Sequence, residues 1–124
     1  MKTSLLILLV ASSLQAEPIR DADAIRAIVG EAANQHYQGM LAVAGAIRNR
    51  GTLKGVYGLH SKMPDRQPRW VWAEASKAWS ESRTNDITHG ATNWENVKAF
   101  GEPYWARSMT VTVTIGDHRF FRPK

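Results

Sequence analysis

The chain has 124 residues, no cysteine, and 16 Lys and Arg against 11 Asp and Glu, for a formal charge of +5. That length supports one domain with a modest core, and the lack of cysteine excludes disulfide support and thiol chemistry. The basic excess favours polyanions such as wall polymers or acidic lipids, but the Lys and Arg are scattered outside any nucleic-acid motif, so nucleic acid is not the expected partner.

Met1-Lys2-Thr3 is a short charged opening, Ser4 to Ala11 is apolar, and Ser12 to Ala16 is small and polar. This is the layout of a secretory signal peptide, which predicts a signal over 1–16 and a mature domain over 17–124. The apolar run is shorter than the roughly 20 residues a membrane span needs. The expected product is a secreted or periplasmic monomer of the cell envelope, not stably inserted in the membrane once the signal is cleaved.

Ala24 to Arg50 reads as two helices with an acidic residue at the bend. Ile25, Ile28, Val29 and Ala32 form one apolar helical stripe, and Met40, Val43, Ala44 and Ile47 form a second. Asp21 is a candidate N-cap for the first helix, with Asp23 favouring its positive end. Ala42, Ala44, Gly45 and Ala46 would let another backbone approach the second helix, and Gly51 is its candidate C-cap. Gly51 to Arg69 reads as a long loop, and loops of that length are often functional. The spacing of Trp72, Ala75, Ser76 and Trp79 predicts a third helix over 69–82, with both tryptophans in the core. Thr84 to Gly101 is irregular, and a short helical turn is expected at Tyr104 to Met109.

The period then changes. Thr110 to Ile115 alternates polar and apolar as a half-buried strand does, Gly116-Asp117 suits a tight turn, and His118 to Arg122 returns as the partner strand. The predicted class is α+β, mainly helical with a C-terminal β-hairpin.

Glu31 closes the first apolar stripe, beside Gly30 and before the turn-like Asn34-Gln35-His36. A carboxyl packed beside apolar surface near a helix end is a candidate acid/base; the plain alternative is a solvated helix-end Glu. Gly30-Glu31-Ala32, the helix from Gly39 to Asn49-Arg50, Gly90-Ala91-Thr92-Asn93-Trp94 and Ile115-Gly116-Asp117-His118-Arg119-Phe120-Phe121 follow one another in this order. That ordered set resembles the SleB-type cell-wall hydrolases, the catalytic domains of spore-cortex lytic enzymes, over roughly Ala24 to Phe121. The resemblance implies a small lysozyme-like domain, cleavage of the glycan strand of peptidoglycan with a lytic transglycosylase outcome, and Glu31 as the catalytic acid/base. Three departures stand out. Ala33, Asn34 and Gln35 replace the family's Arg-Gly-Glu; the Gln-rich, Phe-Ser segment is not recognisable within Gly55 to Arg69; and the aromatic-Asn-Pro ending of the central glycine motif is absent.

Glycosidic cleavage usually employs two carboxyl groups. Gln35 stands where a second nearby carboxylate would be expected, and an amide cannot replace it. A single acid then needs the substrate to supply the nucleophile, as the acetamido oxygen or 6-hydroxyl of a muramyl glycan can, with no cofactor. Glu74, Glu81, Glu95 and Glu102 are the alternative acids. Among the aromatics, Tyr37, Trp94, Tyr104 and Trp105 are candidate groove residues for stacking on sugar rings. Asn93 and Thr92 are candidates to hydrogen-bond acetamido groups or orient the acid, against an ordinary loop role. His36, His60, His89 and His118 raise a zinc-dependent N-acetylmuramoyl-L-alanine amidase, but none shows paired ligand spacing, and the expected site holds no metal. A non-catalytic wall-binding domain would use the aromatics and charge and leave Glu31 without a role.

Overall fold

The computed structural model describes residues 18–124, so the expected signal segment lies outside the described residues. Three helices form one side of the molecule: α1 (Asp21–Ala32), α2 (His36–Arg50) and α3 (Arg69–Glu81). Two short 3-10 turns, Tyr57–His60 and Met63–Arg66, lie in the loop between α2 and α3. The C-terminal part holds β1 (Asn93–Asn96), the one-turn α4 (Val97–Phe100), a 3-10 turn at Tyr104–Ser108, β2 (Met109–Ile115) and β3 (His118–Pro123). The sheet is antiparallel in the order β1-β3-β2, so the last strand is the central one. The α+β class and the C-terminal hairpin are as the sequence predicts.

Helix α2 is the axis of the core. Every residue from Gly39 to Ile47 is buried, on all faces and not only on the stripe that the apolar spacing marks. A helix enclosed on all sides needs small residues wherever another backbone comes close, and its alanines and glycines meet that need. A Cβ on Gly45 would sit 3.0 Å from the Asp86 carboxylate, which is the packing reason for a glycine inside this helix. Met40, Val43 and Ile47 on α2 and Ile28, Val29, Val71 and Phe120 on the elements around it are fully or almost fully buried.

Polar contacts tie the three helices at their ends. The Arg48 guanidinium stacks on Trp79, 3.6 Å from the ring centroid, and donates to the Trp79 carbonyl and to Ser82 Oγ. The Trp79 indole N–H donates to Asp21 Oδ1 at 2.8 Å. Asp21 is therefore the first residue of α1 and an acceptor for α3, and the N-cap position belongs to Arg20. Trp79 is buried and Trp72 packs on the core while donating to the Pro64 carbonyl, as their helical spacing predicts.

The segment expected to be irregular, 84–101, contains β1 and α4. Residues Asn-Trp-Glu-Asn carry no alternation of their own; β1 is a strand because β3 supplies its partners, Trp94 opposite Phe120 and Asn96 opposite His118. Asn96 then caps α4 by accepting the Ala99 N–H at 2.9 Å.

Candidate active site

Glu31 is the penultimate residue of α1, and the chain brings one hydrogen-bond donor to each of its carboxyl oxygens. The first comes from the loop after α2. Gly58 rests directly on α1: a Cβ on Gly30 would lie 2.2 Å from the Gly58 carbonyl oxygen, and one on Gly58 would lie 2.8 Å from the Glu31 amide nitrogen. Only two glycines allow this approach, and it carries the Gly58 N–H to 2.7 Å from Glu31 Oε2. Arg26 holds the same loop down by donating to the Leu59 carbonyl at 3.1 Å and the Ser61 carbonyl at 2.8 Å, and by pairing with Asp65. That hydrogen bond from Arg26 keeps the Asp65 carboxyl below its ordinary range.

The second donor comes from the sheet. The Trp94 indole N–H donates to Glu31 Oε1 at 2.8 Å. Its strand is aligned by a polar knot around Asp86, which accepts from the Thr88 and Gly90 amides at 2.8 and 3.0 Å and from Asn49 Nδ2 at 2.9 Å. Burial alone would raise the Asp86 carboxyl, but hydrogen bonds from Thr88, Asn49 and Gly90 outweigh it and hold the group low. Asn49 also donates to the Ala91 carbonyl, and Arg50 donates to the Lys54 carbonyl at 2.7 Å with its guanidinium 5.9 Å from the Trp94 ring centroid. The Asn49-Arg50 pair at the end of α2 thus fixes both segments that grip the acid.

Glu31 and Trp94 open on a cavity of about 570 Å³, with Arg50 and His118 in its wall. Asn93, Glu95, Asn96 and Trp105 line it from the sheet side. Tyr57 and Phe100 also line it, yet they are 82% and 79% exposed, which places two aromatic rings at its mouth. His118 is buried, and its Nδ1 has no hydrogen-bond partner among the described residues. Burial pushes its imidazole below the ordinary value, against the opposing pull of the Glu31 and Asp117 charges.

Of the residues expected at the site, Glu31, Asn93 and Trp94 come together in this cavity. Trp94 is part of the grip on the acid as well as part of the wall. Thr92 does not line the cavity; its hydroxyl donates to Asn93 Oδ1 at 2.8 Å. Tyr37 lies elsewhere, on a separate cavity, with its hydroxyl donating to Glu81 at 2.8 Å. Tyr104 is 82% exposed and outside the lining, while its neighbour Trp105 lines the cavity edge-on to Phe121. Gln35 has a different job from the missing carboxylate. Its amide donates to Asp117 Oδ2 at 3.2 Å and accepts the Asp117 N–H at 3.0 Å, clasping the β2–β3 turn to the α1–α2 bend.

Sequence reasoning missed Gly58, Arg50, Tyr57, Asn96 and Phe100 as site residues, and it weighed Glu95 and His118 only as an alternative acid and a metal ligand. The signals for Arg50 and His118 lay in the ordered motifs that contain them. The other alternative acids sit apart from this cavity: Glu81 accepts from Tyr37 and Asn85, Glu74 lines the separate cavity, and Glu102 faces Arg119 at 3.8 Å. Among the described residues, no three His, Asp or Glu side chains converge into a metal-binding group, and no helix is long and apolar enough to cross a membrane.

No protein-family model matches the chain, and no curated protein matches it by sequence. Two solved structures share its fold. The catalytic domain of the Bacillus cereus SleB protein superposes with a TM-score of 0.61 at 22% identity, covering 87% of this chain and 94% of that one. The catalytic domain of the germination-specific lytic transglycosylase SleB from Bacillus anthracis gives 0.60 at 21% identity, covering 88% and 100%. The fold is that of the SleB catalytic domain.

Proposed function

We propose that this protein cleaves the glycan strand of peptidoglycan in the cell envelope as a lytic transglycosylase, with Glu31 as its single acid/base. The observation that carries this reading is the double grip on Glu31 at the edge of an open cavity whose mouth bears two exposed aromatic rings. A carboxylate offers about four lone-pair positions, and the two donors occupy one on each oxygen. When Glu31 carries a proton, the protonated oxygen still accepts through its remaining pair, so the grip and the proton are compatible.

The chemistry follows from that placement. Glu31 gives its proton to the bridging oxygen as the bond from that oxygen to the muramyl C1 breaks, and the departing sugar leaves as an alcohol. The muramyl 6-hydroxyl oxygen then bonds to C1 and its proton passes to Glu31, which restores the acid and leaves a 1,6-anhydro ring. No cofactor takes part in either step. Tyr57 and Phe100 offer flat faces to sugar rings on either part of the strand, and Asn93 and Asn96 offer amides to acetamido groups. The full chain's net charge of +5, to which the expected signal contributes only Lys2, draws the domain to an anionic wall. The fold shared with a protein described as a lytic transglycosylase supports the same reading.

Glu95 favours one second reading. It lines the same cavity, and a second carboxylate there is what simple hydrolysis would employ. Mass spectrometry of digested peptidoglycan separates the two. Anhydro-muramyl ends that persist in a Glu95→Gln variant are the expected result; reducing ends that vanish with Glu95→Gln would replace the transglycosylase by a hydrolase, and freed stem peptides would replace both by an amidase.

A further inference from the structure

On the far side of the α1–α2 bend lies a second cavity of about 360 Å³, lined by Ala33, Asn34, His36, Tyr37, Trp70 and Glu74. Its composition differs from a chance surface dent. Trp70, on the first turn of α3, leaves its indole 62% exposed, whereas Trp79 on the same helix is buried. What sets Trp70 apart from the other exposed aromatics is that it lines a cavity together with a second aromatic ring, Tyr37. Glu74 stands one turn after Trp70 on the same helix face, a carboxylate beside the ring. Tyr37 is the second aromatic, and it is immobilised: its hydroxyl is spent on Glu81 at 2.8 Å, and the Lys77 ammonium lies 5.1 Å from its ring centroid. Burial and the bond to Glu81 push the Tyr37 phenol up to about 12, so it remains a neutral plate. Asn34 and His36 add an amide and an imidazole.

We infer that this second cavity is an auxiliary glycan-binding site, which holds another stretch of the same polysaccharide whose cleavage is assigned to the Glu31 cavity. Sugar rings present apolar C–H faces and hydroxyl edges, and two aromatic faces beside an amide, an imidazole and a carboxylate match both. No Lys or Arg is among the lining residues, the Lys77 ammonium is engaged on the Tyr37 ring, and Glu74 adds a negative charge, so the lining favours a neutral glycan over a phosphate-bearing polymer. The two cavities flank one helix end: Ala33 and Asn34 follow Glu31 within a single turn. A polymer held at both gains retention through effective concentration, because the second contact is made by a ligand already tethered. The inference rests on the glycan reading of the Glu31 cavity and extends it.

The test separates polymer from oligomer. Binding is measured by retention on insoluble peptidoglycan in a Glu31→Gln background, so that the polymer stays intact; turnover is measured on short soluble glycan oligomers with Glu31 present. Trp70→Ala is expected to weaken retention about tenfold, the effect of one aromatic anchor, and to leave oligomer turnover within about twofold. Soluble peptide-free glycan strands should compete the retention away, and isolated stem peptides should not. Unchanged retention, an equal loss of oligomer turnover, or competition by stem peptides would each overturn the auxiliary glycan site. Parent protein that cleaves neither substrate would instead refute the glycan reading of the Glu31 cavity.

Discussion

Two halves of the molecule meet at Glu31, and they are held together by different physics. The helical half is assembled by burial: α2 is enclosed from Gly39 to Ile47, and the apolar faces of α1 and α3 close around it. The sheet half has little to bury at the site. All four residues of β1 are half-exposed, and the strand is placed by its pairing with β3 and by the Asp86 knot and Asn49 just before it, while the Gln35 clasp holds the β2–β3 turn. The helical half therefore supplies Glu31 and most of the buried apolar core, while the polar half supplies one of the donors to Glu31 and most of the surrounding wall. Stability and aim should be separable by substitution.

The largest separation is expected at Glu31 itself. Glu31→Gln keeps the shape of the side chain but removes the transferable proton, and activity on peptidoglycan should fall by about 10²–10⁴-fold with the fold intact. A variant that retains more than about a tenth of the parent rate would remove Glu31 from the acid/base role.

Next come the two donors. Trp94→Phe deletes the N–H from the sheet side, and Gly30→Ala pushes the Gly58 turn away on the helical side. Each should lower activity roughly 10- to 100-fold, the 1.5–3 kcal/mol typical of a hydrogen bond to a charged group. Gly30→Ala should carry the larger stability loss, because its Cβ is forced 2.2 Å from a backbone oxygen, whereas Trp94→Phe keeps an aromatic ring against the core and loses only the N–H. Denaturant melts run beside the rate measurements check this, and equal stability losses in both would erase the distinction between the halves.

The boundaries of legibility follow the same division. Helices α1, α2 and α3 were readable because burial imposes a 3.6-residue period on sequence, and β2 because half-burial imposes alternation. The motif containing Glu31 was readable as a resemblance. Strand β1 was not, since its four residues owe their conformation to a partner more than twenty residues away and carry no period of their own. Tyr37 and Tyr104 looked like groove residues by type alone, and type does not say which face of an element meets the cavity. Gln35 looked like a substitution at a catalytic position; its partner, the backbone of Asp117, leaves no trace in a side-chain pattern.

Gln35→Ala probes the seam. It breaks the clasp on the hairpin turn and should lower stability by about 1–2 kcal/mol, with the loss seen first in the hydrogen-exchange protection of β3 and less in α2. Uniform loss of protection would mean that the halves unfold as one unit.

The smallest expected effect is on pH dependence. Burial holds the folded-state His118 imidazole below its ordinary value of 6.5. The unfolded chain thus binds the proton more readily, so this contribution to stability is complete above about pH 6.5 and declines as pH falls toward the folded-state value. Thermal melts between about pH 7.5 and 5 should show a shallower decline for His118→Phe than for the parent chain. Parallel curves would mean that His118 titrates as it does in the unfolded chain.

The position of β3 has a consequence for when the protein becomes competent. It follows β1 and β2 in the chain and is the middle strand of the sheet, so β1 has no partner until residues 118–123 are in place. The Gln35 clasp joins residues 82 apart, and the Trp94 bond to Glu31 joins residues 63 apart. Such distant pairings form late, because chain closure must precede the contacts that reward it. As the chain folds, the helices can collapse early around α2, while Glu31 waits without its indole donor. A chain without β3 in place would therefore carry a folded helical scaffold in which Glu31 lacks its donor from Trp94.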